Sequence, residues 1–305
     1  MLIRQAAFEG NRPLLKGNLH CHTTRSDGQP EPATSIRHYA AAGYDFLSLT
    51  DHNRYNYENF APETGLLILP GMEVDSWIDT VGVHCVHVVS VGPEKEKGNG
   101  FDHEQRFSYP HIREAAQAQV MIDDILAAHN LPIFCHPEWS GNTCQEMMDL
   151  SGFNLMEIWN SGCAIENNMD THAAYWDELL FSGRKIYGVA SDDSHSVQHN
   201  CHGWIRVNAD KNPSSIIEAL KKGAFYASCG PEIYDFYVED GVATVICSPA
   251  ATVGFKNFRV PYHQERGLDI TAAQAKINHP LTHYIRAEVT DAQGRRAWTN
   301  PIFFD

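Results

Sequence analysis

The stretch Leu14-Leu15-Lys16-Gly17-Asn18-Leu19-His20-Cys21-His22 is a short run with strand character that ends in two histidines one residue apart. Alternate side chains of an extended segment point to the same face, so His20 and His22 would project together. Two imidazoles on one face can bind one metal ion. Asp27 follows in a Ser-Asp-Gly turn, close enough in sequence to fold back onto that ion. The stretch therefore predicts a strand. On its own the histidine pair is weak evidence for a metal site, because two strand histidines, one buried and one exposed, give the same pattern.

The same pattern, an apolar run with metal-binding residue types at or near its end, recurs over the first three quarters of the chain. The runs are 46–50 with His52, 66–69 with Glu73, 83–91 with His84 and His87, 131–135 with His136, 155–160 with Glu157 and Asn160, and 185–190 with Asp192, Asp193 and His195. Helical patterns such as 36–42 and 112–130 separate most of them. This alternation predicts a parallel sheet with a site along its C-terminal edge.

The number of contributing strand ends favours a barrel over an open sheet. In a closed barrel all the strand ends converge on one point, whereas in an open sheet only those beside the switch point do. Only a short connection separates the run at 66–69 from the run at 83–91, so a regular eight-fold repeat is not expected.

Beyond about residue 232 the pattern changes to alternating strands with turn residues between them. Asp240-Gly241 between two alternating runs is a strong signal for a β-hairpin. We therefore place a barrel-type domain at 1–231 and a small all-β domain at 232–305.

The composition excludes several classes of protein. The 305 residues include 23 Lys and Arg against 38 Asp and Glu, a net charge of −15 that argues against long nucleic acids and anionic membranes. No run of about 18 apolar residues and no signal-peptide pattern is visible, so we expect a cytoplasmic protein without a membrane partner. The eight cysteines form no CxxC pair, whereas 14 of the 17 histidines precede residue 203. Imidazole and carboxylate without a thiolate cluster suit Zn, Mn or Fe(II) in an open site.

Five motifs in sequence resemble those of the polymerase and histidinol phosphatase (PHP) superfamily over residues 14–230. They are His20-Cys21-His22-Thr23-Thr24-Arg25-Ser26-Asp27-Gly28, Leu49-Thr50-Asp51-His52-Asn53, Gly71-Met72-Glu73, Cys135-His136-Pro137 and Ser191-Asp192-Asp193-Ser194-His195. The resemblance implies a distorted (β/α)7 barrel that holds two or three divalent metal ions and has phosphoesterase activity. Residues 203–204, 224–231 and 298–302 resemble a bacterial subgroup that appends a small β domain.

The resemblance also implies a ligand set. The first ion would be bound by two histidines with a glutamate that bridges to a second ion, and two further histidines would complete the second ion. An aspartate would reach the first pair, and the remaining ligands would hold a third ion. Carried over residue by residue, the ligands are His20, His22, Asp27, His52, Glu73, His87, His136, Asp193 and His195.

Two ligand positions have alternatives. His87 is preferred to His84 because the family's histidine precedes a short apolar run. Asp193 is preferred to Asp192 because it stands two residues before a histidine, which leaves Asp192 as a hydrogen-bonding partner behind the ligands. Further candidates for contacts with substrate are Arg25, for which an ordinary surface charge is the favoured interpretation, and Asn160.

Together these features predict an enzyme, a metal-dependent phosphoesterase that hydrolyses a small phosphorylated metabolite or nucleotide by metal-activated hydroxide. His195, His52 and Asp193 are the candidate catalytic residues, with either histidine able to protonate the leaving group. One alternative is a metal-dependent amide or ester hydrolase, because the same hydroxide attacks carbonyl carbon. The other is a non-catalytic binding protein in which the metals only stabilise the fold. The sequence does not determine the oligomeric state.

Overall fold

The computed structural model of the chain describes residues 5–8, 14–93, 106–169, 172–277 and 283–304. The sequence around residues 92–110 is polar and indicates a long loop, of which residues 94–105 lie outside the described residues. Among the described residues, no helix is long and apolar enough to cross a membrane.

Up to residue 228, helices separate many of the strands but not all of them. Local signals set several helix starts, such as Pro32 in the first turn of one helix and the Thr143–Glu146 capping box of another. The elements are β1 (Gln5–Ala6), β2 (Leu15–Asn18), α1 (Pro32–Ala41), β3 (Phe46–Leu47), a 3-10 helix (Pro62–Thr64), β4 (Leu67–Ile68), β5 (Gly71–Trp77), β6 (Cys85–Val91), a 3-10 helix (Ala115–Ala118), α2 (Gln119–Ala127), β7 (Leu131–Phe134), α3 (Cys144–Asp149), β8 (Leu155–Asn160), α4 (Ser161–Asn167), α5 (Ala173–Phe181), β9 (Tyr187–Ser191), β10 (Trp204–Val207), α6 (Pro213–Lys221) and β11 (Phe225–Ser228).

The described residues after 228 form strands only. They are β12 (Ile233–Glu239), β13 (Val242–Lys256), β14 (Pro261–Lys276), β15 (Tyr284–Thr290), β16 (Arg296–Thr299) and β17 (Ile302–Phe303). The predicted hairpin at Asp240-Gly241 is present: it joins β12 to β13, and both turn residues have positive φ, +50° and +74°. Asp and Gly tolerate this conformation best, which is why the dipeptide was informative.

The strands form two sheets. One has the order β5-β6-β7-β8-β9, and the other has the order β1-β12-β13-β15-β16-β11-β10-β2-β3-β4, with β14 paired to β13 and β17 to β15. The second sheet is continuous across residue 232, because β11 pairs with β16.

The predicted all-parallel sheet is wrong in part. The triplets β2-β3-β4 and β7-β8-β9 are parallel, but β6 is antiparallel to both of its neighbours. The connection from β5 to β6 is short and has no crossover helix, so the two strands form a hairpin. The described strands also do not close into one hydrogen-bonded barrel. Two seams, where one sheet meets the other, remain without continuous strand pairing.

Isolated bridges join the two sheets at these seams. One is a parallel bridge between Cys21, just after β2, and Ser194, just after β9; the other is a parallel bridge between His52, after β3, and Glu73 in β5. The amide of His22 donates to the Ser194 carbonyl at 2.8 Å, which strengthens the first bridge. Both bridges involve or flank predicted metal ligands, so the seams bring the ligand-bearing segments together.

A buried ionic cluster ties α5 to the C-terminal strands. Lys256 Nζ donates to Asp177 Oδ2 at 2.9 Å, and Arg286 Nε donates to Asp177 Oδ1 at 3.0 Å. The Arg286 side chain is fully buried, and its guanidinium lies 4.4 Å from the ring centroid of Trp176. Removing the Asp177 carboxylate would leave the two cations with only the more distant Glu288 carboxylate, at 3.5–3.7 Å, in a desolvated setting.

Asp177→Ala is therefore expected to lower the free energy of unfolding by about 3–5 kcal/mol, the usual cost of breaking a buried ion pair from one side. Urea denaturation followed by circular dichroism measures it. Glu63→Ala, which removes the exposed partner of Arg37, is the matched control and should leave stability close to that of the wild type. Equal midpoints for the two variants would contradict this account of the α5 contact.

Candidate metal centre

A cavity of about 470 Å³ lies at the seam between β5 and the segments that follow β2, β3 and β9. Seven of the nine predicted ligands line it: Asp27, His52, Glu73, His87, His136, Asp193 and His195. The other two, His20 and His22, are fully buried and contact the ligands on its floor. The structure thus brings all nine predicted residues to one place.

Glu73 lies at the centre of the group, and five histidines surround its carboxylate. It projects from β5 and is 1% exposed. Oε2 is 3.3 Å from His20 Nε2, 3.2 Å from His22 Nε2 and 3.2 Å from His52 Nδ1, while Oε1 is 3.0 Å from His87 Nδ1 and 3.3 Å from His136 Nε2. One carboxylate can therefore be shared between neighbouring cations.

Asp193 faces His20 and His22, the two inner histidines of the group. It follows β9 of the five-stranded sheet, whereas the two histidines follow β2 of the other sheet. Its Oδ1 is 3.2 Å from the Nε2 atoms of both His20 and His22. The backbone of Asp193 has a φ of +47°, in the left-handed region that residues with side chains seldom adopt. His136 shares this feature with a φ of +22°. Conformations of this kind persist where surrounding contacts determine them, and here they direct both side chains into the group.

Asp27, His52 and His195 form an outer group at the cavity mouth together with His22. Asp27 Oδ2 is 3.4 Å from His195 Nε2 and 3.7 Å from His52 Nε2, and the His22 and His195 rings stack at 4.2 Å. Burial lowers the pKa of His195, but the bond to Asp27 and the charge of Asp193 outweigh burial and raise it to about 9. This group is more exposed than the inner one.

The electrostatics of the inner group favour positive charge. Burial lowers the pKa of His20, but Asp193 and Glu73 outweigh burial and raise it well above its ordinary value. Burial raises the pKa of Glu73, yet His20 and His52 hold it well below its ordinary range. The carboxylates therefore stay ionised near neutral pH, and they need cationic partners.

The donor set fits divalent cations. Among the described residues, Glu73 Oε2, Asp193 Oδ1, His52 Nδ1 and His87 Nε2 are buried without a hydrogen-bond partner. Moreover, His20 Nε2 and His22 Nε2 lie 3.1 Å apart. Two nitrogens bonded to one ion at about 2.0–2.1 Å are separated by about 3.0–3.4 Å, so this spacing suits a shared ion. The residues fall into overlapping groups of ligand type: His20, His22, Glu73 and Asp193; His52, Glu73 and His87; His22, Asp27, His52 and His195; and His20, Glu73, Cys135 and His136.

The two histidines that the sequence offered for β6 have different surroundings. His87 lies within β6, opposite Asp75 of β5, and its Nδ1 faces Glu73. His84 precedes the strand, and its Nε2 is 3.1 Å from Glu146 Oε1, away from the ligand group. The structure therefore brings His87 to the site and leaves His84 outside it.

The adjacent acids Asp192 and Asp193 are likewise separated. Both oxygens of Asp192 accept hydrogen bonds: Oδ1 from the amides of His202 and Gly203, and Oδ2 from the Tyr39 hydroxyl and the amide of Cys201. Burial raises the pKa of Asp192 to about 6, although these bonds oppose the rise. Asp192 thus holds the loop after β9 while Asp193 faces the ligands.

Arg25 does not line the cavity, and its interpretation as an ordinary surface charge is wrong, because the residue is buried. Its guanidinium donates to Asn56 Oδ1 at 3.3 Å and lies 5.3 Å from the ring centroid of Phe60. Asn160 lies behind the ligands, because its side-chain amide donates to Glu157 Oε2 at 2.9 Å and to Asp193 Oδ2 at 3.2 Å. The sequence motifs had offered both residues for contact with substrate. In the structure Asn160 instead positions a ligand.

Glu157 is the main residue whose role sequence reasoning missed. His20 Nδ1 is 2.8 Å from Glu157 Oε1, and Oε2 accepts from the amide of His136 at 3.0 Å. With the Nδ1 proton donated to Glu157, the His20 Nε2 lone pair is free to bind a metal. Ser140 plays the same part for His136, with Oγ 2.9 Å from Nδ1.

Asp75 and Trp77 were also missed, although a signal was present. They follow Glu73 at spacings of two and four residues on β5, so all three share one face of the strand, and both line the cavity. Trp139 and Glu166 line it from other segments. These two residues follow no periodic pattern that points to the site.

Comparisons with known proteins agree with this picture at the level of fold. No family model matches the sequence. Over 75 residues the chain is 33% identical to a 5′-3′ exoribonuclease from Haemophilus influenzae, a match that covers 23% of this chain and 27% of that protein. The chain therefore matches about a quarter of the length of that relative.

Two solved structures are similar. A two-domain protein from Bacteroides vulgatus, described as containing a predicted PHP-like metal-dependent phosphoesterase, has a TM-score of 0.51 at 14% identity over 93% of this chain and 92% of that chain. An amidohydrolase from Chromobacterium violaceum with bound sulfate has a TM-score of 0.43 at 17% identity over 59% of this chain and 87% of that chain. The first match shows that this chain shares its fold with a protein described as PHP-like, in agreement with the resemblance of the motifs.

Removing and restoring metal should change the stability of the protein, because the buried carboxylates need cations. When Mn²⁺ or Zn²⁺ is added to chelator-treated protein at a concentration far above the dissociation constant of the ion, Tm is expected to rise by about 5 °C or more. Differential scanning fluorimetry measures the shift. Glu73→Gln, which removes the shared carboxylate, should lose most of it. A wild type with unchanged Tm and less than one ion per chain would count against the site.

Metal content should distinguish the two β6 histidines. His87→Ala is expected to lose about one ion per chain, because it removes a ligand that Glu73 alone cannot replace. His84→Ala is the matched control and should retain the wild-type content. Elemental analysis of the purified variants by mass spectrometry measures the difference. Loss in the control together with retention in His87→Ala would show that the assignment is reversed.

Proposed function

We propose that the protein is a metal-dependent hydrolase of the PHP type that cleaves a phosphate ester of a small metabolite or nucleotide. The observation that carries the proposal is the shared carboxylate of Glu73, which has five histidine nitrogens within 3.3 Å at the floor of an open cavity. A purely structural metal site would need about four ligands and no open face. The surplus of ligands and the open cavity both favour a catalytic metal site over a structural one.

Two or three divalent ions, Zn, Mn or Fe, would be held by the nine residues. The inner pair of histidines with Asp193 and Glu73 suits one ion, and Glu73 with His87 and His136 suits a second. Asp27, His52 and His195 suit a third. When bound, such ions supply Lewis acidity and a nucleophile derived from water at neutral pH.

The chain's own residues would orient the reacting groups. His195 Nδ1 lies 3.1 Å from the carbonyl of Asp193, and a carbonyl only accepts, so Nδ1 carries the proton and Nε2 faces the cavity. His195 and His52 are partly exposed at the mouth. With only two ions bound, neither would be a metal ligand, and either would be available to protonate the oxygen of a departing alcohol. Asp193 would hold the first ion against the inner histidines.

The cavity limits the size of the substrate. A volume of about 470 Å³ lies within the range for small-molecule pockets. The net charge of −15 opposes an extended contact with nucleic acid. The exoribonuclease relative therefore supports cleavage of a phosphate ester here, but not a polymeric substrate.

The proposal extends to the architecture and location. Residues 1–231 would form a distorted (β/α)7 barrel of the PHP type and 232–305 a small β domain. A separate apolar core formed mainly by β12–β17 supports the division. The two units would still share one sheet, because β11 pairs with β16. All eight cysteines are free, which agrees with a cytoplasmic protein.

Phosphate release from a panel of phosphomonoesters and phosphodiesters by Mn²⁺- or Zn²⁺-loaded protein tests the function. Asp193→Asn is expected to lower kcat by at least about 100-fold, since even residues behind the ligands commonly contribute 10–100-fold. His84→Ala should retain wild-type activity. Release of amine or carboxylate from amides or esters, with no phosphate released from any ester, would favour the carbonyl hydrolase instead. A fully metal-loaded protein inert in both assays would favour a non-catalytic role.

A further inference from the structure

One wall of the cavity is aromatic and runs outward from the metal-ligand group. The ring centroid of Trp139 is 5.1 Å from that of His136 and 5.8 Å from that of His87. Trp77 lies 6.2 Å from His87 at an interplanar angle of 77°. Both indoles therefore contact the outer side of the ligand histidines, and they continue the site beyond the reacting centre.

These two indoles leave apolar surface open to a bound molecule. Trp77 is 38% exposed, although it is large and apolar, and Trp139 is half-buried. Trp77 stands on the same face of β5 as Glu73, four residues along the strand. A molecule whose reacting atom meets Glu73 and its histidines would thus place its remaining part beside the indoles.

The rest of the lining offers no cation to such a molecule. On the side formed by α4 and the loop after β9, the cavity is lined by Glu166, Asn167 and His199, with Glu166 Oε1 3.1 Å from His199 Nε2. Neither lysine nor arginine occurs among the described residues that line the cavity. Charge recognition would therefore end at the metal ligands, and affinity for the distal part of a substrate has to come from ring and apolar contacts.

We infer that Trp77 and Trp139 select substrates whose leaving group carries a planar aromatic ring, such as a nucleobase or an aryl group. The inference rests on the proposed phosphoesterase function and adds the substrate class to it. Stacking of a base on an aromatic side chain is tolerant of base identity, so the wall selects for a ring rather than for one base.

A pair of esters with the same leaving oxygen isolates the contribution of the ring. Adenosine 5′-monophosphate and ribose 5-phosphate both release a 5′ alcohol, but only the first carries a base. In metal-loaded wild type, kcat/KM for the nucleotide should exceed that for the sugar phosphate by about tenfold or more. In Trp77→Ala and Trp139→Ala the ratio should fall below about threefold, and Trp77→Phe and Trp139→Phe should restore most of it. Trp204→Phe, outside the cavity lining, should keep the wild-type ratio.

A binding measurement on chelator-treated protein separates this inference from the proposed function. Adenosine, which has no phosphate to hydrolyse, should quench tryptophan fluorescence saturably in the wild type and in Trp204→Phe, and much less in Trp77→Phe and Trp139→Phe. Quenching without hydrolysis of any ester would remove the proposed function and leave the aromatic recognition standing. Hydrolysis with equal kcat/KM for the two esters, or a wild type that adenosine does not quench, would overturn the inference.

Discussion

The structure depends on the burial of ionised carboxylates among histidines at the seam between two sheets. Glu73 and Asp193 are almost inaccessible to water, and each has an oxygen without a hydrogen-bond partner among the described residues. Charges buried in this way are costly unless cations meet them. The bridges His52–Glu73 and Cys21–Ser194, one at each of the two seams, bring the carboxylates together. Fold and site are therefore one arrangement, because the same contacts that join the sheets bring the ligands together.

A polar layer behind the ligands makes this arrangement specific. Glu157 holds His20 in the tautomer that leaves Nε2 free, and Asn160 links Glu157 to Asp193. Asp192 accepts four hydrogen bonds that hold the loop after β9. Since each of these residues is itself satisfied, the free lone pairs of the group all face inward. In front of the ligands the aromatic wall of Trp77 and Trp139 continues the site toward solvent.

The fold was predictable where local rules decide it. The Asp240-Gly241 hairpin follows from turn chemistry, and the shared direction of His20 and His22 follows from the two-residue period of a strand. The orientation of β6 was not predictable from alternation, because it depends on the short connection from β5. The openness of the barrel among the described strands likewise follows from pairings between segments far apart in sequence.

For the site, the sequence alone determined which residue types come together and in what order, because most of the ligands follow strand ends that lie at one edge. Glu73 and His87 lie instead within β5 and β6. Tertiary structure decided which neighbour of each ambiguous pair faces inward. His87 is directed inward by its pairing with Asp75 across β5 and β6, and Asp193 by a left-handed backbone that turns Asp192 away. Glu157 and Trp139 joined the site only in three dimensions. Their roles depend on which strand packs opposite them, and a local pattern carries no information about that partner.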